Sequence, residues 1–400
     1  MSLAIYKEHF DNSYQETFNK VNVAKEIVNM RFEPVLKYGE SVERVAFDIS
    51  GVYVRDTVRG AASTIDSISD TSELLTINLE KEANIYLSDG EMTQAGPLNP
   101  SQIIGRAVAI KLSDDWDARC FAETRNALYD FDSGDLTTLS SNGTAITMSS
   151  TTVPQMIARM PAKLHAQNQV LTNLAFVVDP FIASDIEQYI MSKSIDLAGF
   201  VLKNGFAGPI KNAELYISNN LTGEAVLSMA TQPADGDPIT IGGVTFTFKT
   251  VLGATAGNVL IGGSADAARA NLAALINAPG TTTANGVALS AANQAIIQQQ
   301  LRLTATNDNV ANTMTVVGIG SGALVVSEAL TDGADTWTKN FLHCYYGKKG
   351  AIDAVMQDKK EVDIRPCSDR RGSNIFSSYL GGIKTFADGA KKFLDVLIAR

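Results

Sequence analysis

The first hundred residues contain two stretches whose apolar positions suit extended strands, separated by a small, polar run. The stretches are 52–58 and 74–87, and the run between them is 60–73. Strands with one packed face alternate apolar and polar side chains, whereas a run rich in Ser, Thr and Asp does not form a core. The pattern predicts two strands around a long exposed loop. Residues 1–45 mix short helical patterns with charge and show no clear core.

An apolar stripe at helical spacing follows. Ile104, Val108, Leu112 and Trp116 recur every four residues, and Pro100 is a residue type favoured in the first turn of a helix. We expect one helix from Pro100 to about residue 129. About thirty residues of helix reach about 45 Å at 1.5 Å per residue, so this element is more of a strut than a packing unit.

The next segments predict short strands and one capped helix. Asp179 and Pro180 form a helix start, because an Asp side chain caps the first turn and proline fits the first helical position. We expect this helix to run to Lys193 and to follow a buried strand at 173–178. Further strands are predicted at 214–218, 341–346 and 361–365.

The end of the chain contains a hairpin signal. Asp388-Gly389 lies between the apolar stretches 383–386 and 393–398, and Asp-Gly is a preferred two-residue hairpin turn. We therefore expect these stretches to pair, with the last of them finishing in a sheet.

Composition changes sharply between residues 231 and 335. These 105 residues contain only ten charged side chains and two aromatic ones, Phe246 and Phe248, among many Ala, Gly, Thr and Asn residues. Turn-rich runs at 233–238 and 331–335 bound the segment. We interpret it as an inserted domain, since the residues outside it are enough for a complete fold.

Patterns inside the segment predict a small α+β module. Two short strands flank Gly242-Gly243, and Ser264 can cap a helix that runs to Ile276. The apolar face of that helix consists of Ala268, Leu272, Leu275 and Ile276. A second helix at 291–300 and strands at 301–306 and 314–318 complete the module.

Overall composition restricts the classes of function. The chain has 400 residues, of which 45% are hydrophobic and 19% charged, and its formal net charge is −10. This acidic balance disfavours sequence-specific DNA binding, because proteins that wrap DNA neutralise phosphates with basic side chains. The three cysteines (Cys120, Cys344 and Cys367) are sparse and widely spaced, which fits a reducing cytoplasm. No segment suits a bilayer span or a signal peptide.

Few residues suggest chemistry, and each has a structural interpretation. His343 and Cys344 would point to opposite faces of a strand, which favours structural roles over a nucleophilic pair. Asp114, Asp115 and Asp117 resemble general acid–base carboxylates, but on a long helix we expect a solvated face or an inter-subunit salt bridge.

Other motifs are equally weak. The run Gly318-Ile-Gly-Ser-Gly322 lacks the Gly-Lys-Ser/Thr ending of a phosphate loop, so we interpret it as a turn. The histidines (His9, His165 and His343) have no metal-ligand spacing. Lysine pairs at 348–349, 359–360 and 391–392 fit a solvated face better than one that contacts DNA. We predict no catalytic, cofactor-binding or metal-binding residues, and no enzymatic activity.

Four local sequences, in this order, carry a resemblance to a known family. They are Leu174-Ala-Phe-Val-Val-Asp-Pro180, Leu215-Tyr-Ile-Ser-Asn-Asn-Leu221, Asn340-Phe-Leu-His-Cys-Tyr-Tyr-Gly-Lys-Lys-Gly-Ala-Ile352 and Gly382-Ile-Lys-Thr-Phe-Ala-Asp-Gly-Ala-Lys-Lys-Phe-Leu-Asp-Val-Leu-Ile398. Together with the order of the predicted elements, they resemble the major capsid proteins of tailed bacteriophages that have the HK97-type fold. The likeness covers nearly all of the chain except the insert, and it implies an α+β, HK97-like capsid fold.

The resemblance also implies a division of the chain. The parts are an N-terminal arm (1–45), an extended loop with flanking strands (46–98), the spine helix and peripheral domain (99–150), the axial domain (151–230 and 336–368), the insertion domain (231–335) and C-terminal peripheral strands (369–400). The implied function is structural: hexamers and pentamers of an icosahedral phage head that encloses double-stranded DNA. The implied location is the virion, after assembly in the cytoplasm of the bacterial host. Scaffolding, portal and, in some heads, decoration proteins are implied partners, without cofactor or membrane.

Some shells of this family crosslink through a lysine of the extended loop that bonds to an asparagine. Residues 52–80 contain no lysine here; their cations are Arg55 and Arg59, and Lys81 is the nearest lysine. We therefore expect a shell held together without covalent bonds between subunits.

Three alternatives stay open from the residues alone. One is a different phage component, such as a tail-tube or decoration protein, although a spine helix after a hairpin-like loop disfavours a tube. Another is an encapsulin-like compartment, in which the large Ala/Gly/Thr-rich insert would be unusual. The third is an enzyme, for which no constellation of residues is present.

Overall fold

The computed structural model describes residues 23–34, 39–48, 52–56, 59, 65–90, 100–192 and 212–399. These residues form two compact units. The smaller unit contains the described residues of 28–112 and 350–389. The larger unit contains the described residues of 23–27, 113–349 and 390–399.

Strands and helices are mixed throughout, so the predicted α+β class is confirmed. The strands are β1 (Ser41–Asp48), β2 (Ser69–Thr76), β3 (Leu79–Ser88), β4 (Tyr129–Phe131), β5 (Leu174–Val178), β6 (Ala213–Ile217), β7 (Thr222–Ser228), β8 (Pro238–Ile241), β9 (Val244–Lys249), β10 (Asn258–Leu260), β11 (Leu303–Asp308), β12 (Thr313–Gly318), β13 (Val326–Glu328), β14 (Thr336–Lys348), β15 (Asp353–Pro366), β16 (Gly372–Lys384) and β17 (Phe393–Ala399). The helices are α1 (Pro100–Ala122), α2 (Thr152–Ala166), α3 (Pro180–Met191), α4 (Ala265–Asn277), α5 (Ala291–Ala295) and α6 (Ala387–Ala390). Turns of 3-10 helix lie at Ala24–Glu26, Glu123–Asn126 and Ser133–Leu136, and α5 continues as a π-helical turn over Ile296–Gln300.

In the smaller unit, β1 and β2 form an antiparallel hairpin whose register runs from Ser41↔Thr76 to Asp48↔Ser69. The sequence pattern does not predict β1, and it places residues 69–73 in the exposed loop. The predicted strand at 52–58 is wrong over 52–56, which form no regular strand, and residues 57–58 lie outside the described ones. Ser, Thr and Asp side chains make β2 look like a loop by composition, but pairing with β1 satisfies its backbone groups.

The predicted strand at 74–87 is in fact two strands in different sheets. β2 ends at Thr76, whereas β3 pairs with β16, which pairs in turn with β15. Gly382 marks the break: a Cβ at this position would lie 2.3 Å from the Thr76 carbonyl oxygen, so β16 passes against the chain between β2 and β3. Beside this point, Leu75 and Ile77 are buried in a small apolar core with Phe386.

The predicted C-terminal hairpin is wrong. β16 ends at Lys384, α6 follows, and β17 pairs with β14 and β4 rather than with β16. Gly389 does not form a hairpin turn. It allows two segments of backbone to pass close together, because a Cβ here would lie 2.2 Å from the Ala351 carbonyl oxygen. Asp388 binds Arg44. Asp388 and Gly389 therefore both contact residues that are distant in sequence. The predicted terminal strand at 393–398 is confirmed as β17.

Helix α1 is shorter than predicted. It has 23 residues, about 35 Å of helix at 1.5 Å per residue. The chain then makes a 3-10 turn and enters β4, whose parallel pairing with β17 ends the helical path before residue 129. Val108, Leu112 and Trp116 are buried as predicted. The side chain of Ile104 lies outside the described ones.

The larger unit is organised around β14, a strand of 13 residues. One edge of β14 pairs with β17, and the other edge pairs with β7 over residues 336–343 and with β5 over residues 345–348. The resulting eight-stranded sheet has the order β11-β12-β7-β14-β17-β4, with β6 beside β5. The predicted buried strand β5 is confirmed, as is the start of α3, where the Asp179 carboxylate accepts the N–H of Ile182 at 2.8 Å. The predicted end of α3 at Lys193 lies outside the described residues.

The compositionally distinct segment 231–335 has the elements predicted for it. β8 and β9 form a hairpin around Gly242-Gly243, and the Ser264 hydroxyl accepts the N–H of Ala267 at 3.1 Å to cap α4. The buried face of α4 includes Ala268, Leu272, Leu275 and Ile276. The second helix is α5 with its π-helical turn, and β11 and β12 are the two predicted strands.

This segment shares its sheet and its core with residues that precede it. β12 pairs with β7, and the apolar core around α4 includes Ala225 and Leu227 of β7 and the adjacent Met229. The change in composition at residue 231 therefore does not coincide with a boundary of the core. The limits of an insertion domain stay a prediction.

Two aspartates join the ends of the same segment. Asp335 accepts the N–H of Ala230 at 2.8 Å and the N–H of Thr231 at 3.1 Å. Asp237 accepts the N–H of Thr331 at 3.0 Å and its hydroxyl at 2.8 Å. Burial opposes ionisation of Asp237, but the hydrogen bonds from Thr331, together with one from the N–H of Ala234, outweigh it and hold the pKa below the usual value. The turn-rich runs at the two ends are thus bonded to each other.

We expect Gly389→Ala to lower the free energy of unfolding of the smaller unit by about 1–3 kcal/mol, the usual cost of overpacking. Alanine is a better helix former than glycine, so the substitution would raise the free energy of unfolding if the close approach to Ala351 were unimportant. Gly263→Ala is the control, because no atom lies within 4 Å of a Cβ added there. Thermal unfolding of both variants checks the prediction, and an unchanged or raised midpoint for Gly389→Ala would contradict it.

Candidate subunit interface

The β1–β2 hairpin and its described tip expose many large apolar side chains. We call this set the hairpin surface; it consists of Val45, Val52, Tyr53, Val54, Ile65, Ile68 and Leu74. Val54 is fully exposed and Ile65 is 92% exposed. Single exposed apolar residues are ordinary, but a concentration of them in one element indicates an interaction site.

The backbone of the hairpin is also open to a partner. In the part of the chain that the structure describes, β1 and β2 pair with each other and with no third strand. Each strand therefore has an outer edge whose N–H and C=O groups are available to another chain. Open edges next to apolar side chains are the features that strand addition requires.

A charged pair holds the described tip together. The Arg55 guanidinium donates to both carboxylate oxygens of Asp66, at 2.8 and 2.5 Å, and the N–H of Tyr53 donates to the same carboxylate at 3.0 Å. The Arg55 side chain and the Tyr53 N–H keep the pKa of Asp66 below its usual value. The residues on the two sides of the tip are therefore held in one arrangement before any partner binds.

A second charged pair fastens the hairpin within the smaller unit. Arg44 of β1 donates to both carboxylate oxygens of Asp388, at 2.6 and 2.7 Å, and lies over the ring of Phe386. Its cross-strand neighbour Glu73 accepts the N–H of Ala387 at 3.0 Å. Neither contact is predicted from the sequence, because no local pattern links residues more than 300 positions apart.

For the acidic run on α1 the sequence suggested either a solvated face or an inter-subunit salt bridge. The solvated face is wrong, and the inter-subunit salt bridge stays a prediction. Asp115 bonds Arg119 at 2.8 Å and Arg302 at 2.9 Å, and Asp114 accepts from Asn220 at 3.4 Å. Asp117 is 1% exposed. Each of the three side chains is taken up by a different part of the same unit, because the turns of α1 that carry them are packed within it.

His343 lies between two carboxylates inside the larger unit. Its Nδ1 is 2.6 Å from Asp395 Oδ2 and its Nε2 is 3.3 Å from Glu224 Oε2, which also accepts from Arg125 at 2.8 Å. Burial alone would lower the pKa of His343, but the two carboxylates outweigh it and raise the pKa to about 9. The imidazolium compensates the charge of the fully buried Asp395, which is a structural role. The neighbouring Cys344 is also buried, and burial raises the pKa of its thiol.

The other sequence candidates are the lysine pairs and the glycine-rich run. Lys349 donates to Glu214 and to the hydroxyl of Tyr216, at 2.6 Å in each case, so it is not a free cation. The glycine-rich run at 318–322 makes a turn after β12. The side chains of residues 359–360 lie outside the described ones.

Among the residues that the structure describes, no three His, Cys, Asp or Glu side chains are grouped so that they could hold a metal ion. Of the helices in these same ranges, none has the length and apolar character needed to span a bilayer.

We expect the free energy of unfolding to fall as pH rises from 6.5 to about 9. The pKa of His343 is higher in the folded than in the unfolded chain, so its stabilisation is complete below 6.5 and is lost as pH passes the folded value. Replacing His343 by Gln removes this dependence and leaves Asp395 buried without a cation, which costs about 3–5 kcal/mol at pH 6.

Urea unfolding of the wild type and variants at pH 6 and pH 9.5 measures both effects. His165→Gln is the control, because His165 is an exposed residue of α2. Equal losses in the two variants, or a wild type equally stable at both pH values, would contradict the assigned role.

Comparisons with known proteins bear on the fold. No protein-family model and no curated protein matches the chain. A solved structure from Mycobacterium phage Che8 matches with a TM-score of 0.51 and 16% identity, covering 93% of this chain and 90% of that chain. The mature capsid of bacteriophage PhiM1 matches with a TM-score of 0.45 and 10% identity, over 90% and 82% of the two chains. The capsid of cyanophage P-SCSP1u matches with a TM-score of 0.43 and 10% identity, over 91% and 84%. At 16% identity the likeness to the Che8 structure establishes the fold alone, and the α+β, HK97-like fold that the sequence predicts is confirmed, while the insertion domain stays a prediction.

Proposed function

We propose that this chain is the major capsid protein of a tailed bacteriophage, a non-enzymatic subunit that assembles into an icosahedral head. The observation that carries the proposal is the hairpin surface, in a chain with a capsid fold. A free subunit leaves these apolar side chains and two strand edges in water. A neighbouring copy that packs on them would remove this unfavourable exposure.

Ring closure follows from contacts between unlike surfaces. A subunit that offers its hairpin to a different surface of the next copy makes a head-to-tail contact, and such contacts close into rings when the rotation allows. Hexamers and pentamers are the rings that an icosahedral shell needs. Permanent interfaces of this kind can bury more than about 2,000 Å², so many modest contacts add up to a durable shell.

The parts of the chain receive roles within this proposal. Residues 1–45 and the extended loop would carry much of the contact between subunits, and segment 231–335 would be an insertion in the axial domain. The head would enclose double-stranded DNA without reading its sequence, which agrees with a net charge of −10. Scaffolding and portal proteins are the expected partners. Assembly would take place in the cytoplasm of the bacterial host, and the product would be the virion.

We expect the double variant Val54→Asp, Ile65→Asp to stay folded but to form no closed shells. Both side chains are exposed in the subunit, so two carboxylates there cost little stability, but they would be desolvated against an apolar partner. Negative-stain electron microscopy, with and without a candidate scaffolding protein, measures the outcome.

The matched control is Val310→Asp, since Val310 is 94% exposed and lies outside the hairpin surface. This variant should form shells like the wild type. Shells of normal size and yield from the double variant would exclude the hairpin surface as an essential contact. Open tubes from the wild type would instead indicate a tail component, and the capsid proposal would fail.

We also expect mature particles to dissociate into single chains on a denaturing gel. The stretch 52–80 contains Arg55 and Arg59 but no lysine that could form an amide bond with a neighbour. A ladder of covalent multimers that persists in reducing buffer would contradict this prediction and would direct attention to Lys81.

A further inference from the structure

Two of the three lysine pairs in the sequence come together at one end of the eight-stranded sheet. Lys348 is the last residue of β14 and Lys392 immediately precedes β17, and the N–H of Lys348 donates to the carbonyl oxygen of Lys392 at 3.0 Å. This bond continues the antiparallel register of the two strands, so the two lysines lie opposite each other and point to the same side of the sheet. Lys349 and Lys391 are their direct neighbours in the chain. We call these four residues the lysine cluster.

Opposite charge neutralises only a small part of this end of the sheet. Five described segments meet there, each at the end of a strand: 127–128, 172–174, 212–214, 347–349 and 391–393. Their ionisable side chains are the lysine cluster and Glu214, so four lysines against one glutamate give a formal charge of +3. The whole chain has a net charge of −10. The sign of the charge is therefore reversed at this place, and Lys348 and Lys391 are exposed there.

The arrangement is unfavourable within the subunit itself. Like charges directly opposite each other in an antiparallel pair repel and destabilise the sheet. Lys349 offsets part of this repulsion through its bonds to Glu214 and to the hydroxyl of Tyr216, at 2.6 Å in each case. An anion bound beside the cluster would offset the rest, because its charge attracts all of the lysines at once.

The chemistry of this end of the sheet fits the phosphate backbone of duplex DNA. Lysine binds phosphate as a flexible point charge, without the bidentate geometry through which arginine reads guanine. The five segments contain one aromatic residue, Phe393, which is buried and so cannot stack on unpaired bases. An acidic chain repels DNA over much of its surface, so contact is expected where the sign of the charge changes.

We propose that the lysine cluster is a site at which the subunit contacts the phosphate backbone of packaged duplex DNA. The inference rests on the proposed function, because a filled head is what brings DNA to this surface. The contact reads no sequence, and its strength comes from the counterions that the DNA releases. Non-specific contacts of this kind have dissociation constants of about 10⁻⁴–10⁻⁶ M, and the many copies in a shell add them together.

Fluorescence anisotropy of a labelled duplex with the unassembled full-length chain tests the contact. We expect the affinity to fall as salt rises from about 50 to 200 mM, whatever the sequence of the duplex. The double variant Lys348→Gln, Lys391→Gln should reduce the slope of log affinity against log salt by about two, one for each lost phosphate contact. Its midpoint of thermal unfolding should not fall, since both side chains are exposed and repulsion between lysines is relieved.

Two control variants separate the cluster from a general effect of charge. Lys339→Gln removes an exposed lysine near the other end of β14, so its slope should equal that of the wild type. The double variant Lys348→Arg, Lys391→Arg keeps both charges and should also keep the slope.

Three results would overturn the proposal. They are a wild type that does not bind the duplex at about 50 mM salt, a slope that the Gln double variant leaves unchanged, and tighter binding of poly-glutamate than of the duplex. The last result would indicate an acidic protein partner instead. Electron microscopy of the same preparations keeps the two proposals distinguishable. Normal shells with an unchanged slope would exclude the DNA contact alone, whereas open tubes would exclude the capsid function.

Discussion

The larger unit depends on the sharing of one strand edge. β14 pairs with β7 through seven residues between 336 and 343 and with β5 through its last four (345–348), while its opposite edge pairs with β17. The segment 231–335 joins this sheet through β7, and the helix start at Asp179 follows β5. The position of nearly every element in the unit is therefore set by the register of a single strand. A slip of one residue would turn His343 away from Asp395 and place a charge in an apolar layer.

Polar contacts attach separate parts of the chain to one turn of α1. Asp114, Asp115 and Asp117 contact the loop before β7, Arg302 of the compositionally distinct segment, and the start of the described chain. An apolar stripe on the same helix packs into the interior. α1 therefore connects several separate segments of the chain. Its acidic residues would be exposed in an isolated helix, but here they bind these segments. Gly320 supports the same attachment, since a Cβ there would lie 2.3 Å from Cβ of Ala118.

Local rules predicted local structure well. The caps at Asp179 and Ser264, the turn at Gly242-Gly243 and the buried strand β5 were found because each signal lies within a few residues of the element it defines. The predictions that were wrong concern features that are not determined by nearby residues. The Asp388-Gly389 pair, the end of α1 and the acidic run are all determined by chain segments distant in sequence. The hairpin surface was found only approximately, because β2 is polar in composition and is a strand only through pairing with β1.

The aspartate bonds at the two ends of segment 231–335 have a consequence for how this region can vary. Because Asp237 holds Thr331 and Asp335 holds Ala230, the chain leaves and re-enters at one fixed point, and everything between forms a closed loop. The entropy of closing a loop grows only with the logarithm of its length, by about 0.6 kcal/mol for each doubling. The length of the segment can therefore change at little cost in free energy. The edge of β7 that pairs with β12, by contrast, needs a partner strand in every case. Any sequence that replaces this one has to bring its ends together and also supply a strand to cover that edge.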